Sequence, residues 1–112
     1  MTSEAAHKPQ PLSEAEVRRV VLEALSQSGY YIESFSFHAR FDHPERHLSI
    51  DDVIFGLKST WRGCKAEEFN DDEWQWKYLV KTHDIEGNRL IVPIALDPRN
   101  KRFTVITAFY EE

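Results

Sequence analysis

The chain has a single cysteine, Cys64, in 112 residues. One cysteine excludes an intramolecular disulfide and suits a reducing compartment. No apolar run approaches the roughly 20 residues that a membrane-spanning helix needs. Met1–Gln10 is polar and lacks the apolar core of a signal peptide. These absences lead to the expectation of a soluble, cytoplasmic protein with no membrane partner. Internal repeats and low-complexity segments are also missing. Basic charge is in short supply, with 14 Lys+Arg against 19 Asp+Glu for a net charge of −5. Proteins that live by neutralising phosphates usually carry a basic excess, so this balance counts against a generic nucleic-acid binder.

The deficit is not uniform. Residues 1–37 hold three basic and five acidic groups, and residues 38–65 hold five and four. Residues 66–73 hold none and five, and residues 74–112 hold six and five. Acidity is concentrated in the N-terminal part and one short run, which leaves room for a local basic face. With 41% hydrophobic residues the chain can bury one compact core. Residues 1–11 are polar and Pro-bearing and are expected to be a disordered tail. Residues 12–112 are expected to form a single α+β domain.

Ser13-Glu14-Ala15-Glu16 has the form of a capping box. Val17, Val20, Val21, Ala24 and Leu25 follow on one helical stripe, and Ser28-Gly29 offers an αL stop. Tyr30–Phe37 is aromatic and β-branched and predicts a short strand. His38–Glu45 has weaker helical character, interrupted by Pro44. Ser49 is placed to cap a second helix with Asp52 at its third position, and Ile50, Val53, Ile54 and Leu57 are its expected buried face. Trp61–Cys64 reads as a strand start, and Lys65–Glu73 as a solvated acidic loop. Trp74–Thr82 and Arg89–Leu96 read as strands joined by the turn Asp84–Asn88. Pro93 favours a sheet edge or a bulge. After the turn Asp97–Asn100, Arg102–Tyr110 is apolar on both faces and is expected to be a central strand.

Several of these pieces carry a resemblance. Phe37-His38-Ala39, Arg46 eight residues after His38, and Ser49-Ile50-Asp51-Asp52-Val53 form its first half. Lys77-Tyr78, Asp84-Ile85-Glu86-Gly87-Asn88-Arg89-Leu90 and Val105-Ile106-Thr107-Ala108-Phe109 form its second. In this order and spacing the chain resembles the bacterial family known as domain of unknown function 4258. That family is distantly similar to RelE-type toxins and barnase-like ribonucleases. The resemblance implies N-terminal helices packed on a four-stranded antiparallel sheet. It also implies RNA as substrate and a protein antitoxin as partner, as in a toxin-antitoxin system. Asp42 stands where many relatives have a second basic residue.

The residues support that chemistry on their own terms. Cleaving RNA by its own 2′-hydroxyl needs a base, an acid and a cation at the phosphate, with no metal or other cofactor. His38 titrates near neutrality and suits acid/base work. Arg46 can fork onto phosphate. Lys77 and Arg89 are candidate auxiliary cations for substrate, and Thr107 and Tyr110 candidate hydroxyls on the last strand. Each residue also has a plainer reading. His38 can be a local hydrogen-bonding group, Arg46 can pair with Asp42 or Asp52, and Thr107 can be an ordinary sheet residue. His43 and His47 have metal-ligand spacing but no evident third ligand. Trp61, Trp74 and Trp76 can stack on bases or fill a core or lid. The two function classes left open are a metal-independent ribonuclease and a non-enzymatic protein-interaction domain that retains the fold.

Overall fold

The computed structural model describes residues 9–26, 31–33 and 48–111. Helix α1 (Glu14–Ser26) starts where the capping box predicts. The Ser13 N–H donates to Glu16 Oε1 at 3.1 Å, and the Glu16 N–H donates back to Ser13 Oγ at 3.2 Å. Two otherwise unpaired backbone donors are thereby satisfied. Val17, Val20, Val21 and Ala24 are buried on one face, as the periodicity requires. The expected stop at Ser28-Gly29 lies outside the described residues.

Helix α2 (Ile50–Lys58) is capped by Ser49, whose Oγ accepts the Asp52 N–H at 3.3 Å. Val53 and Leu57 are fully buried, whereas Ile50 is 45% exposed, against expectation. Leu48, just before the cap, is buried in the same core cluster as Val53. It takes the place expected of Ile50, in the manner of a hydrophobic staple across the helix start. Gly56 sits where α2 meets the sheet. A Cβ there would lie 2.8 Å from both the His83 carbonyl oxygen and Thr82 Cγ2. Thr82 Oγ1 donates to the Gly56 carbonyl at 2.7 Å, so only glycine permits this approach.

The sheet contains β1 (Tyr31–Glu33), β2 (Gly63–Asn70), β3 (Gln75–His83), β4 (Arg89–Asp97), β5 (Arg102–Val105) and β6 (Phe109–Tyr110). Its order is β1-β5-β4-β3-β2, with β6 also on β4. The antiparallel meander β2–β5 bears out the α+β expectation, and β1 adds a parallel edge beside β5. The sequence reading differs from this sheet in two places. Lys65–Glu73 is mostly strand β2, because its carboxylates point off an edge strand instead of into a loop. Arg102–Tyr110 is two strands: β5 lies inside the sheet between β1 and β4, whereas β6 pairs with β4.

The split follows from Pro93. The Pro93 carbonyl accepts the Ile106 N–H at 2.9 Å, so the ring nitrogen, which has no hydrogen, faces β5 and β6. Register passes from Ile94↔Val105 to Leu90↔Tyr110, whose residue numbers sum to 199 and 200 respectively. One extra residue is therefore inserted, and Thr107-Ala108 stand opposite Val92. The bulge lies where the proline cannot donate.

Candidate functional site

Strand alternation gives the sheet two faces. Tyr78, Val80 and Thr82 of β3, Leu90, Val92, Ile94 and Leu96 of β4, and Phe103, Val105 and Tyr110 form the core under the helices. No described helix packs on the second face. Ile91 and Pro93 lie at its middle, with Leu79, Ala95 and Phe109 half-buried around them.

The two ends of this face carry opposite chemistry. At one end Lys65, Lys81 and Arg89 lie on adjacent strands and are all exposed. Lys65 pairs with Leu79, two residues from Lys81, and Lys81 pairs with Ile91, two residues from Arg89. The three cations therefore run diagonally across β2, β3 and β4 at steps of roughly 7–8 Å. None has a carboxylate partner among the described residues. Lys65 and Lys81 also line a depression of about 270 Å³ at the β2 edge, together with Arg62 and Glu14. Arg62 is already engaged by Glu111 at 2.9 Å.

The loop beside this end is locked from inside. Asp84 is buried, and its carboxylate accepts the Glu86 N–H (2.9 Å), the Asn88 N–H (2.8 Å), the Asn88 side-chain amide (3.0 Å) and the Tyr110 hydroxyl (2.9 Å). Burial works against its charge. The bonds from Asn88, Tyr110 and Glu86 outweigh burial and hold the carboxyl below the ordinary value of 3.8. Gly87, at φ +90°, lets the loop close around this carboxylate.

At the other end a depression of about 420 Å³ is rimmed by Glu68, Asp71 and Asp72. It would repel phosphate. Lys77 is captured there, with its ammonium 3.1 Å from both Glu67 and Glu68. The hydrogen bonds it donates to Glu68 and then Glu67 raise its pKa above the ordinary lysine value.

Of the residues singled out in the sequence, the described ones, Lys77, Arg89, Thr107 and Tyr110, do not form one cluster. His38 and Arg46 lie outside the described residues, as do Asp42, His43 and His47. Arg89 belongs to the basic diagonal. Lys77 is six residues along β3 from His83, the partner of Arg89, or roughly 20 Å away. Tyr110 is 3% exposed and faces the core, where its hydroxyl is bonded to Asp84. Thr107 is half-buried in the bulge. Lys65 and Lys81 went unselected, although alternation of Lys77, Leu79 and Lys81 against Tyr78, Val80 and Thr82 marks the face they share. Trp61 is core, its Nε1–H bonded to the Leu57 carbonyl at 3.0 Å. Trp74 and Trp76 both meet Phe69 edge-on. Burial, with a smaller push from Glu14, raises the Cys64 thiol to about 12, which leaves it protonated and inert.

Among the described residues, no helix is long and apolar enough to cross a membrane. No group of three metal-ligating side chains occurs among those residues. Comparison with protein-family models, with curated proteins and with solved structures finds no match to this chain.

Proposed function

We propose that this protein binds RNA on the basic end of the second sheet face and cleaves it without a metal, in the manner of the RelE-type ribonucleases its sequence resembles. The observation that supports this most is the diagonal of Lys65, Lys81 and Arg89, which lacks carboxylate partners among the described residues in a chain of net charge −5. Three adjacent cations without a carboxylate partner among the described residues repel one another, and a polyanion relieves that repulsion. In this reading His38 is the acid/base group and Arg46 the phosphate clamp. A RelE/barnase-like arrangement, a cytoplasmic location and a protein antitoxin that covers the basic end belong to the same proposal.

A second reading has its own support. Capture of Lys77 by Glu67 and Glu68, beside an acidic rim, suits a protein-interaction domain that retains the fold without the chemistry. Induced expression in a bacterial host separates the two. The ribonuclease reading expects growth arrest and RNA fragmentation from the unmodified chain, and normal growth from His38→Ala and Arg46→Ala at matched protein levels. Equal growth of all three, with RNA intact, would favour the interaction domain.

A further inference from the structure

A groove lies on the helix side of the sheet, away from the basic diagonal, and what is drawn from it does not depend on the RNA reading. Pro9-Gln10-Pro11-Leu12 crosses the start of β3 without entering a helix or strand. Trp76 donates its Nε1–H to the Pro9 carbonyl at 2.8 Å, and the Leu12 N–H donates to the Tyr78 hydroxyl at 3.0 Å. Prolines cannot donate and favour an extended backbone whose carbonyls stay open. Aromatic rings that pack on such a segment, with a ring N–H reaching a carbonyl, are the chemistry of proline-segment recognition.

The chain's own segment leaves much of the groove unfilled. A cavity of about 280 Å³ remains between it and the turn after β4, walled by Trp74, Trp76, Tyr78, Leu96, Asp97 and Arg99, with the Asp97 carboxylate taken up by the Asn100 side-chain amide at 2.7 Å. Trp74 is held at φ +55°, a left-handed conformation unfavourable for a bulky side chain. Its ring stands edge-on to Phe69, 4.9 Å between centroids, at the groove mouth. Arg99 is exposed and has no carboxylate partner among the described residues. We propose that this groove binds an extended, proline-containing and acidic segment of a partner protein, and that Pro9–Leu12 partly occupies it in the free chain.

The test uses the full chain and two synthetic peptides, Glu-Pro-Gln-Pro-Leu-Glu and its analogue with alanine for both prolines. Binding is read by isothermal titration calorimetry, with the indole N–H resonance of Trp76 as the site marker in the chains that keep it. A Pro9→Ala/Pro11→Ala chain should bind the proline peptide saturably, and at least tenfold more tightly than the unmodified chain, because its own segment competes less well. Adding Trp76→Phe to that chain should weaken binding at least tenfold by removing the donor. Trp74→Gly, which relieves the backbone strain, should also weaken it and guards against a folding failure of the first variant. The proposal is overturned by no saturable response, by equal binding of the proline-free peptide, or by unchanged binding in both tryptophan variants. A concentration-dependent dimer that the peptide dissolves would assign the groove to a second copy's tail and overturn the partner.

Discussion

The two ends of the sheet use charge in opposite ways. Beside the β3–β4 turn the carboxylate of Asp84 points inward, where four hydrogen bonds consume it. The cations outside that turn, Lys81 and Arg89, are exposed and have no carboxylate partner among the described residues. Beside the β2–β3 turn the carboxylates point outward, and two of them take up Lys77. The contrast teaches that a chain's net charge says little about any one surface. What matters is which carboxylates the fold buries and which it leaves beside a lysine.

The largest effect should come from opening the Asp84 lock. Asp84→Ala removes the carboxylate that gathers the loop amides and the Tyr110 hydroxyl, and should cost about 3 kcal/mol in urea unfolding. A loss below about 1 kcal/mol would mean that the loop holds itself by other means. The same carboxylate predicts a pH dependence. Its pKa is lower in the folded chain than the ordinary 3.8, so the unfolded chain takes up the proton first. Its stabilisation is therefore present above about pH 5 and fades as pH falls from about 4 through the folded-state value. Asp84→Asn should remove that part of the acid sensitivity.

The acidic end can be made to behave like the basic one. Glu67→Gln with Glu68→Gln frees Lys77, which should add about one phosphate contact. RNA affinity should rise by less than about tenfold, and the salt dependence should steepen by about 0.7 in log–log slope. Lys77→Ala in the otherwise unmodified chain should leave RNA affinity unchanged. A clear loss there would show that the glutamates do not occupy this lysine. The smallest effect is expected at the turn beyond it. Trp74→Gly relieves about 1 kcal/mol of left-handed strain and forfeits a comparable edge-to-face contact with Phe69, so thermal stability should move by less than about 1 kcal/mol.

Features decided within a few residues were legible in the sequence. Both helix caps stand where Ser13 and Ser49 put them, and the Asp84–Asn88 turn lies between the expected strands. Pro93 announced an edge or a bulge, and the choice of a bulge beside a central strand depended on partners the sequence does not name. Features set by distant partners were harder to read. Glu67 and Glu68 look like loop residues until Lys77 on the next strand is seen beside them. Ile50 fits the helical stripe, but Leu48 fills the core at that end of α2. Arg89 was singled out, yet its companions were not. The diagonal depends on the register of three strands, and a shift of one residue in any of them would turn a cation to the other face.

The most direct test of the central claim is the salt dependence of single-stranded RNA binding. The unmodified chain is compared with a Lys65→Ala/Lys81→Ala/Arg89→Ala chain whose folding is checked by circular dichroism. Three phosphate contacts correspond to a log–log slope of about −2, which the triple variant should largely lose together with at least tenfold in affinity at low salt. Equal affinity and equal slope in the two chains would contradict the account and place any RNA contact elsewhere on the molecule.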